Sequence, residues 1–160
     1  MPTPTSVEKS VPMTIAVAHD FICPWCWVGL AQARKLQEEF GVAIEWRAYE
    51  LFPEGMDYPA ATAPEVKPRN RPETPDRFTL LLAAEGMTMP QAHRPRGIKT
   101  TNAHLACIAA RDQGCEDPLI EAFYRAYWER GESIDREEVV RKIVSGVVPD
   151  VEAVMSCVRR

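Results

Sequence analysis

The feature that most constrains this chain is a pair of cysteines at the junction of a predicted strand and a predicted helix. Residues 13–19 form a short apolar run, which is typical of a strand buried on both faces. Cys23 and Cys26 follow with two residues between them, and a helical pattern begins at once. The pair must therefore lie at the amino-terminal end of that helix. The helix is predicted from apolar or small residues that recur at helical spacing on one face, namely Gly29, Ala33, Leu36 and Phe40.

A thiol at the start of a helix has a distinct chemical environment. The first turn presents unpaired backbone N–H groups and a partial positive charge, and both stabilise a thiolate. If Cys23 caps the helix, Pro24 takes the first helical position, where its missing N–H costs nothing. Cys26 then lies one turn further in, facing the core. The pattern predicts that Cys23 attacks and Cys26 resolves, as in the redox motif of thioredoxin-like folds.

Composition narrows the class of protein. The chain has 160 residues, 46% hydrophobic and 26% charged, which predicts a soluble protein of one domain or a small domain with an insertion. A net charge of −4 provides no basic surface for nucleic acid or an anionic membrane. Residues 1–12 lack the apolar core of a signal peptide and are predicted to be a flexible arm, so a cytoplasmic location is expected. Five cysteines in that compartment indicate chemistry or burial rather than a disulfide scaffold.

The remaining pattern divides the chain into three further segments. Residues 13–52 are predicted to form a right-handed parallel βαβ unit, because Ile44 and Trp46 belong to a second alternating strand. Residues 53–75 contain six prolines and are predicted to be an extended crossover. Residues 76–160 have helical periodicity throughout. Helices are predicted to begin near Thr74, Thr100, Asp117, Asp135 and Pro149.

Several motifs together resemble one known family. Residues 19–29, 44–47, 51–53, 102–104 and 122–128 are similar to the FrnE-like branch of the DsbA family, and the resemblance extends from about residue 13 to the end of the chain. It implies an α/β fold, in which a thioredoxin-like βαβ unit carries an inserted or appended helical domain. It also implies thiol–disulfide oxidoreduction or isomerisation of protein substrates. No cofactor is implied beyond the cysteine pair, and glutathione is left open as a co-substrate.

The sequence departs from this family in one segment. The family continues into two more strands and a helix, and a cis-proline that helps hold the substrate precedes the first of those strands. Pro149 stands in a helix-opening context and is a poor match for that proline. We therefore expect the thioredoxin-like strands to be incomplete at the carboxyl terminus. An exposed sheet edge would then favour a dimer or a swapped oligomer.

Three functions remain open at this point. The first is disulfide exchange at Cys23 and Cys26, in which Pro24 and Trp25 between the sulfurs tune the redox potential. The second is a glutathione-dependent isomerase or transferase of the wider family, which characteristically has serine in place of Cys23. The third is a truncated, non-catalytic remnant. Half of a zinc site is disfavoured, because Cys107 and Cys115 do not form a second ligand pair.

Two histidines are further candidates for the cleft. A protonated His19 would favour the Cys23 thiolate, although an exposed histidine at the strand end is the preferred interpretation. His104 would line the cleft facing the cysteines, but a partly buried structural histidine is preferred. Cys107 is predicted to be a buried, inert thiol, whereas Cys115 and Cys157 are predicted to be more exposed.

Overall fold

A computed structural model describes residues 13–56 and 76–158 of the chain. Two parallel strands, β1 (Thr14–His19) and β2 (Ala43–Ala48), flank the long helix α1 (Pro24–Phe40). The predicted βαβ unit is therefore present. In its register, His19 at the end of β1 pairs with Ala48, and Val17 pairs with Trp46. The predicted arm at residues 1–12 and most of the proline-rich crossover lie outside the described residues.

Five shorter helices follow the βαβ unit, which makes the fold a mixed α/β architecture that is mostly helical. They are α2 (Arg77–Ala84), α3 (Thr101–Ala109), α4 (Glu116–Trp128), α5 (Glu137–Ser145) and α6 (Val151–Met155), with a 3₁₀ turn (Ala110–Gln113) before α4. At two of the helix starts, a side-chain carboxylate caps the helix by accepting a backbone N–H bond. Asp76 accepts from Thr79 at 2.8 Å and Asp150 accepts from Ala153 at 3.0 Å.

Helix α5 begins close to the predicted start at Asp135, but that residue does not cap it. Arg136 rather than Asp135 occupies the cap position, and α5 has no side-chain capping bond. Asp135 retains one buried carboxylate oxygen without a hydrogen-bond partner. The predicted helix therefore exists, but it begins later than the acidic signal suggested.

The buried side of α1 also differs from the predicted face. Trp27, Val28, Leu30 and Ala33 are buried, whereas Leu36 and Phe40 are 39% and 64% exposed. The buried residues of α1 end at Ala33, and α4 packs against the helix in that region. Arg34 of α1 forms ion pairs with Asp117 and Glu121 of α4, at 2.8 and 3.2 Å.

The hydrophobic core lies between the βαβ unit and the helices that follow it. Helix α3 contacts α4, α5 and α6, and α4 also packs on α1. The largest fully buried side chains of this core include Phe21, Phe123, Tyr124 and Leu119. Phe21 belongs to the turn that precedes the cysteine pair, so the core holds that turn in place from below. Among the described residues, no helix is long and apolar enough to cross a membrane.

Candidate active site

Cys23 and Cys26 lie at the amino-terminal end of α1, where the sequence predicts them. Cys23 is the cap residue with extended backbone angles (φ −77°, ψ 119°), and Pro24 begins the helix. The Cys23 N–H donates to the Asp20 carbonyl at 3.2 Å, and the Trp27 N–H donates to the Cys23 carbonyl at 3.1 Å. Both thiols are free and half-buried. The pair is therefore held by the helix and by the turn before it.

The two thiols differ sharply in acidity. The pKa of Cys23 falls from 9.0 to about 6, chiefly because the Cys26 thiol donates a hydrogen bond to its sulfur, with further help from the backbone N–H groups of Cys26 and Trp25. Burial and the charge of Asp20 oppose this shift. The same thiol–thiol bond, together with burial, raises the pKa of Cys26. At neutral pH, Cys23 is therefore mainly a thiolate, while Cys26 keeps its proton.

Trp25 forms an aromatic rim beside the pair. Its side chain is 51% exposed, and its ring meets Phe78 of α2 edge-on, with centroids 5.1 Å apart. Trp27 turns the other way into the core and stacks on Trp128 of α4, with centroids 5.4 Å apart. Of the two tryptophans, Trp25 is the one available to a substrate.

The structure corrects both interpretations of His19. The side chain is only 2% exposed, so it is not a solvated residue at the strand end. Its Nδ1 lies 3.1 Å from the Tyr124 hydroxyl. Burial, reinforced by the neighbouring His104, lowers the pKa of His19 to about 3, while Asp20 has a weaker opposite effect. His19 is therefore neutral at physiological pH and cannot supply a positive charge to the thiolate.

His104 is more deeply buried than the sequence suggests. It is 4% exposed, and its ring packs on Phe21 and His19 with centroids 4.7 and 5.1 Å away. Burial lowers the pKa of His104 to about 4. Its Nε2 makes no hydrogen bond and lies 3.9 Å from a carboxylate oxygen of Asp20. His104 therefore lies beneath Phe21 as part of a buried polar cluster rather than in the open cleft.

Asp20 is the site residue that the sequence analysis missed. Its side chain is buried, and its carboxylate accepts the Leu51 N–H at 2.7 Å and the Ile22 N–H at 3.4 Å. The Asp20 carbonyl accepts bonds from the Cys23 N–H and, at 3.3 Å, from the Tyr124 hydroxyl. Asp20 thus joins the cysteine turn to the segment after β2. The available signal was a single acid between an apolar strand and Phe21.

The other three cysteines stand apart from this chemistry. Cys107 is 2% exposed, and burial raises its pKa well above the ordinary value. Cys115 is half-buried and its thiol donates to the Gln113 carbonyl at 3.4 Å, whereas Cys157 is exposed. The predicted burial of Cys107 and the predicted greater exposure of Cys115 and Cys157 are confirmed. Within residues 13–56 and 76–158, no three His, Cys, Asp or Glu side chains are arranged to hold a metal ion.

Comparison with known proteins agrees with this geometry. Residues 14–159 match the family described as the DSBA-like thioredoxin domain. A structure described as a "probable DsbA oxidoreductase" from Streptomyces coelicolor aligns with a TM-score of 0.64 and 24% identity, covering 90% of this chain and 68% of the other. The structure of the cytosolic disulfide reductase DsbM from Pseudomonas aeruginosa aligns with a TM-score of 0.65 and 16% identity. The alignment covers 91% of this chain and 70% of the other. The structure of the same reductase with glutathione aligns with a TM-score of 0.65 and 15% identity, and the alignment covers 91% of this chain and 71% of the other. No significant match is found among curated proteins.

Proposed function

Because this chain belongs to the family of DSBA-like thioredoxin domains, we propose that it is a thiol–disulfide oxidoreductase with Cys23 as its nucleophile. The observation that carries the proposal is the division of acidity within the pair. The pKa of Cys23 is lowered to about 6 and that of Cys26 is raised, so the residue that caps the helix is the ionised one. A nucleophile and a protonated resolving thiol are the two groups that disulfide exchange requires.

The exchange proceeds in two balanced steps. The Cys23 thiolate attacks one sulfur of a substrate disulfide; a new S–S bond forms, the old one breaks, and the substrate's other sulfur leaves as a thiolate. Cys23 then no longer carries a charge, so the hydrogen bond that holds the Cys26 proton is lost. Cys26 releases its proton to the departing thiolate or to solvent and attacks Cys23. The substrate leaves as a dithiol, and its two electrons come from the Cys23–Cys26 pair, which is now a disulfide.

The reverse sequence oxidises a substrate dithiol. We propose the reducing direction in a cytoplasmic setting, with protein disulfides as substrates and glutathione as the thiol that regenerates the pair. Two structural neighbours support this choice: one is described as a cytosolic disulfide reductase, and the same reductase is described in complex with glutathione. Pro24 and Trp25 separate the two sulfurs and would set the redox potential, and Trp25 offers an apolar contact to an unfolded chain.

The test is catalysed reduction of a protein disulfide, such as that of insulin, by the purified protein with glutathione or dithiothreitol as reductant. Cys23→Ser should abolish the activity, and Cys26→Ser should accumulate a mixed disulfide at Cys23 that mass spectrometry detects. Cys157→Ser removes an exposed thiol outside the pair and should leave the activity unchanged. Full activity in the Cys23→Ser protein would refute the proposal.

A further inference from the structure

A cavity of about 560 Å³ opens beside the cysteine turn. It is lined by Ile22, by residues 89–94 and Arg96 of the segment after α2, and by Tyr127 and Trp128 at the end of α4. Ile22 directly precedes Cys23, so the cavity borders the nucleophile's own backbone. A group bound in the cavity would therefore lie beside the residue that precedes the nucleophile.

The wall formed by residues 89–96 is fixed by contacts to α4 and to itself. The Tyr127 hydroxyl donates to the Pro95 carbonyl at 3.2 Å, and the Arg94 guanidinium donates to the carbonyls of Pro90 and Ala92 at 3.1 and 3.3 Å. Gly131, with φ +66°, approaches the His93 carbonyl so closely that an added Cβ would lie 2.2 Å from its oxygen. The cavity is therefore shaped before a ligand arrives, which lowers the entropic cost of binding.

Among the described residues, the lining carries positive charge and no acid that would balance it. Arg94 lies over the Trp128 ring, 4.6 Å from its centroid, and Arg96 is exposed and forms no hydrogen bond or ion pair with the described residues. None of the described residues that line the cavity is acidic. In sequence, no Asp or Glu occurs between Glu85 and Asp112, although the whole chain has a net charge of −4. The cavity is thus a local basic site on an acidic protein.

Guanidinium groups beside an aromatic wall suit one class of ligand. Arginine binds carboxylates through two parallel N–H···O bonds, and this geometry gives selectivity as well as attraction. Since Arg94 is already engaged with Pro90, Ala92 and Trp128, it fixes the wall, while Arg96 is the cation left available. We propose, on the basis of the thiol–disulfide exchange above, that this cavity is a carboxylate subsite. It makes the protein select disulfides that carry an anionic group close to the sulfur.

The experiment compares three small disulfides of similar reach that differ in charge. The reduced protein is mixed with 3,3′-dithiodipropionate, hydroxyethyl disulfide or cystamine, which are anionic, neutral and cationic, and single-turnover oxidation is followed by loss of free thiol. Arg96→Gln should slow the reaction of the anionic disulfide about tenfold and change the other two less than about twofold, since one charge-assisted contact is worth roughly that factor. Arg136→Gln, which makes the same charge change outside the cavity, is the matched control and should leave all three rates unaltered.

Each outcome has a definite meaning. Equal slowing of all three disulfides by Arg96→Gln, or no slowing of any, would overturn the carboxylate subsite. Failure of the parent protein to react with any disulfide would instead refute the exchange chemistry, so the two failures are distinguishable. The melting temperature of the variant, expected to match the parent because Arg96 makes no bond to the described residues, excludes an effect through unfolding.

Two sources could supply the carboxylate, and a further arm separates them. Glutathione disulfide is compared with a cystine peptide carrying Glu two residues from the half-cystine, and with the same peptide carrying Ser. Dependence on Arg96 for glutathione disulfide alone assigns the subsite to small thiols. Dependence for the Glu peptide but not the Ser peptide assigns it to acidic protein segments. Arg96-independence in all three overturns the subsite.

Discussion

The indole N–H of Trp128 donates a 2.8 Å hydrogen bond to the main-chain carbonyl of Phe21, which is two residues before Cys23. Trp128 ends α4 and is 107 residues away along the chain. Its ring also stacks on Trp27 and forms one wall of the basic cavity. One buried side chain therefore joins the cysteine turn, the helix that follows it and the adjacent cavity.

Replacing Trp128 with Phe should test that junction. The variant keeps an aromatic ring but leaves the buried Phe21 carbonyl without its donor, so we expect the free energy of unfolding to fall by about 2 kcal/mol. Urea unfolding measures the loss. Trp25→Phe alters a half-exposed ring and should change stability by no more than about 0.5 kcal/mol. Equal effects of the two substitutions would show that the indole bond contributes nothing.

The low pKa of Cys23 should depend on the Cys26 thiol. Removing the donor in Cys26→Ala should raise the pKa of Cys23 from about 6 toward the ordinary value of 9.0, because that hydrogen bond is the largest influence lowering it. Cys26→Ser retains a donor and should give an intermediate value. The rate of iodoacetamide alkylation as a function of pH gives the pKa directly. An unshifted midpoint in the Ala variant would mean that the helix end alone stabilises the thiolate.

Neutralising Asp20 should act in the opposite direction. The carboxylate raises the pKa of Cys23 by charge repulsion, so Asp20→Asn should lower it below about 6 and increase the thiolate fraction in mildly acidic solution. The same alkylation profile measures the change. Asp112→Asn removes a charge from an exposed residue and is the control. A higher pKa in Asp20→Asn would indicate that loss of the backbone bonds to Ile22 and Leu51 outweighs loss of the charge.

Acid should destabilise the fold through its two buried histidines. The pKa values of His19 and His104 are lowered to about 3 and about 4, so both are neutral when folded and take up protons on unfolding below their ordinary value of 6.5. The stability that depends on keeping both rings neutral is fully present above pH 6.5. It is lost as the pH falls toward about 4 for His104 and about 3 for His19. As the pH falls from 7 to 5.5, each of these two histidines should lower the free energy of unfolding by about 1 kcal/mol.

The measurement is a set of urea unfolding curves at several pH values. His104→Gln should reduce the pH dependence between pH 7 and pH 5.5 by about half, whatever its effect at neutral pH, because one of the two proton-binding groups is gone. His93→Gln removes an exposed imidazole and should preserve the dependence. A parent protein whose stability is constant across this range would contradict the burial of both rings.

Two glycines provide a matched test of the cavity wall. Gly114 and Gly131 have nearly equal positive φ angles, 68° and 66°, but only Gly131 has a neighbour, the His93 carbonyl, that an added Cβ would strike. Gly114→Ala should cost about 1 kcal/mol from backbone strain alone. Gly131→Ala should cost about 1–3 kcal/mol more, because the His93 segment must shift. Equal losses in thermal or urea unfolding would mean that this segment yields freely.

The sequence alone determined the features that depend on neighbouring residues. The cysteine pair at a strand-to-helix junction, Pro24 in the first helical turn, and the helix starts near Thr74 and Pro149 are all local, because a helix start or a period needs only a few consecutive residues. The order of strands and helices follows from the same short-range patterns. The FrnE-like branch assignment remains a prediction within the confirmed family.

Only the tertiary structure decided what surrounds the pair. His19 and Tyr124 meet across 105 residues, and this meeting buries an imidazole that the local pattern left at an exposed strand end. Phe40 belongs to the predicted apolar face but is exposed. An apolar stripe predicts which side of a helix can be covered, but not how far along the helix its partner extends. The role of Asp20 and the cavity beside Ile22 likewise arise from contacts between segments distant in the chain. Burial, and with it the charge state of a side chain, is a property of those long-range contacts.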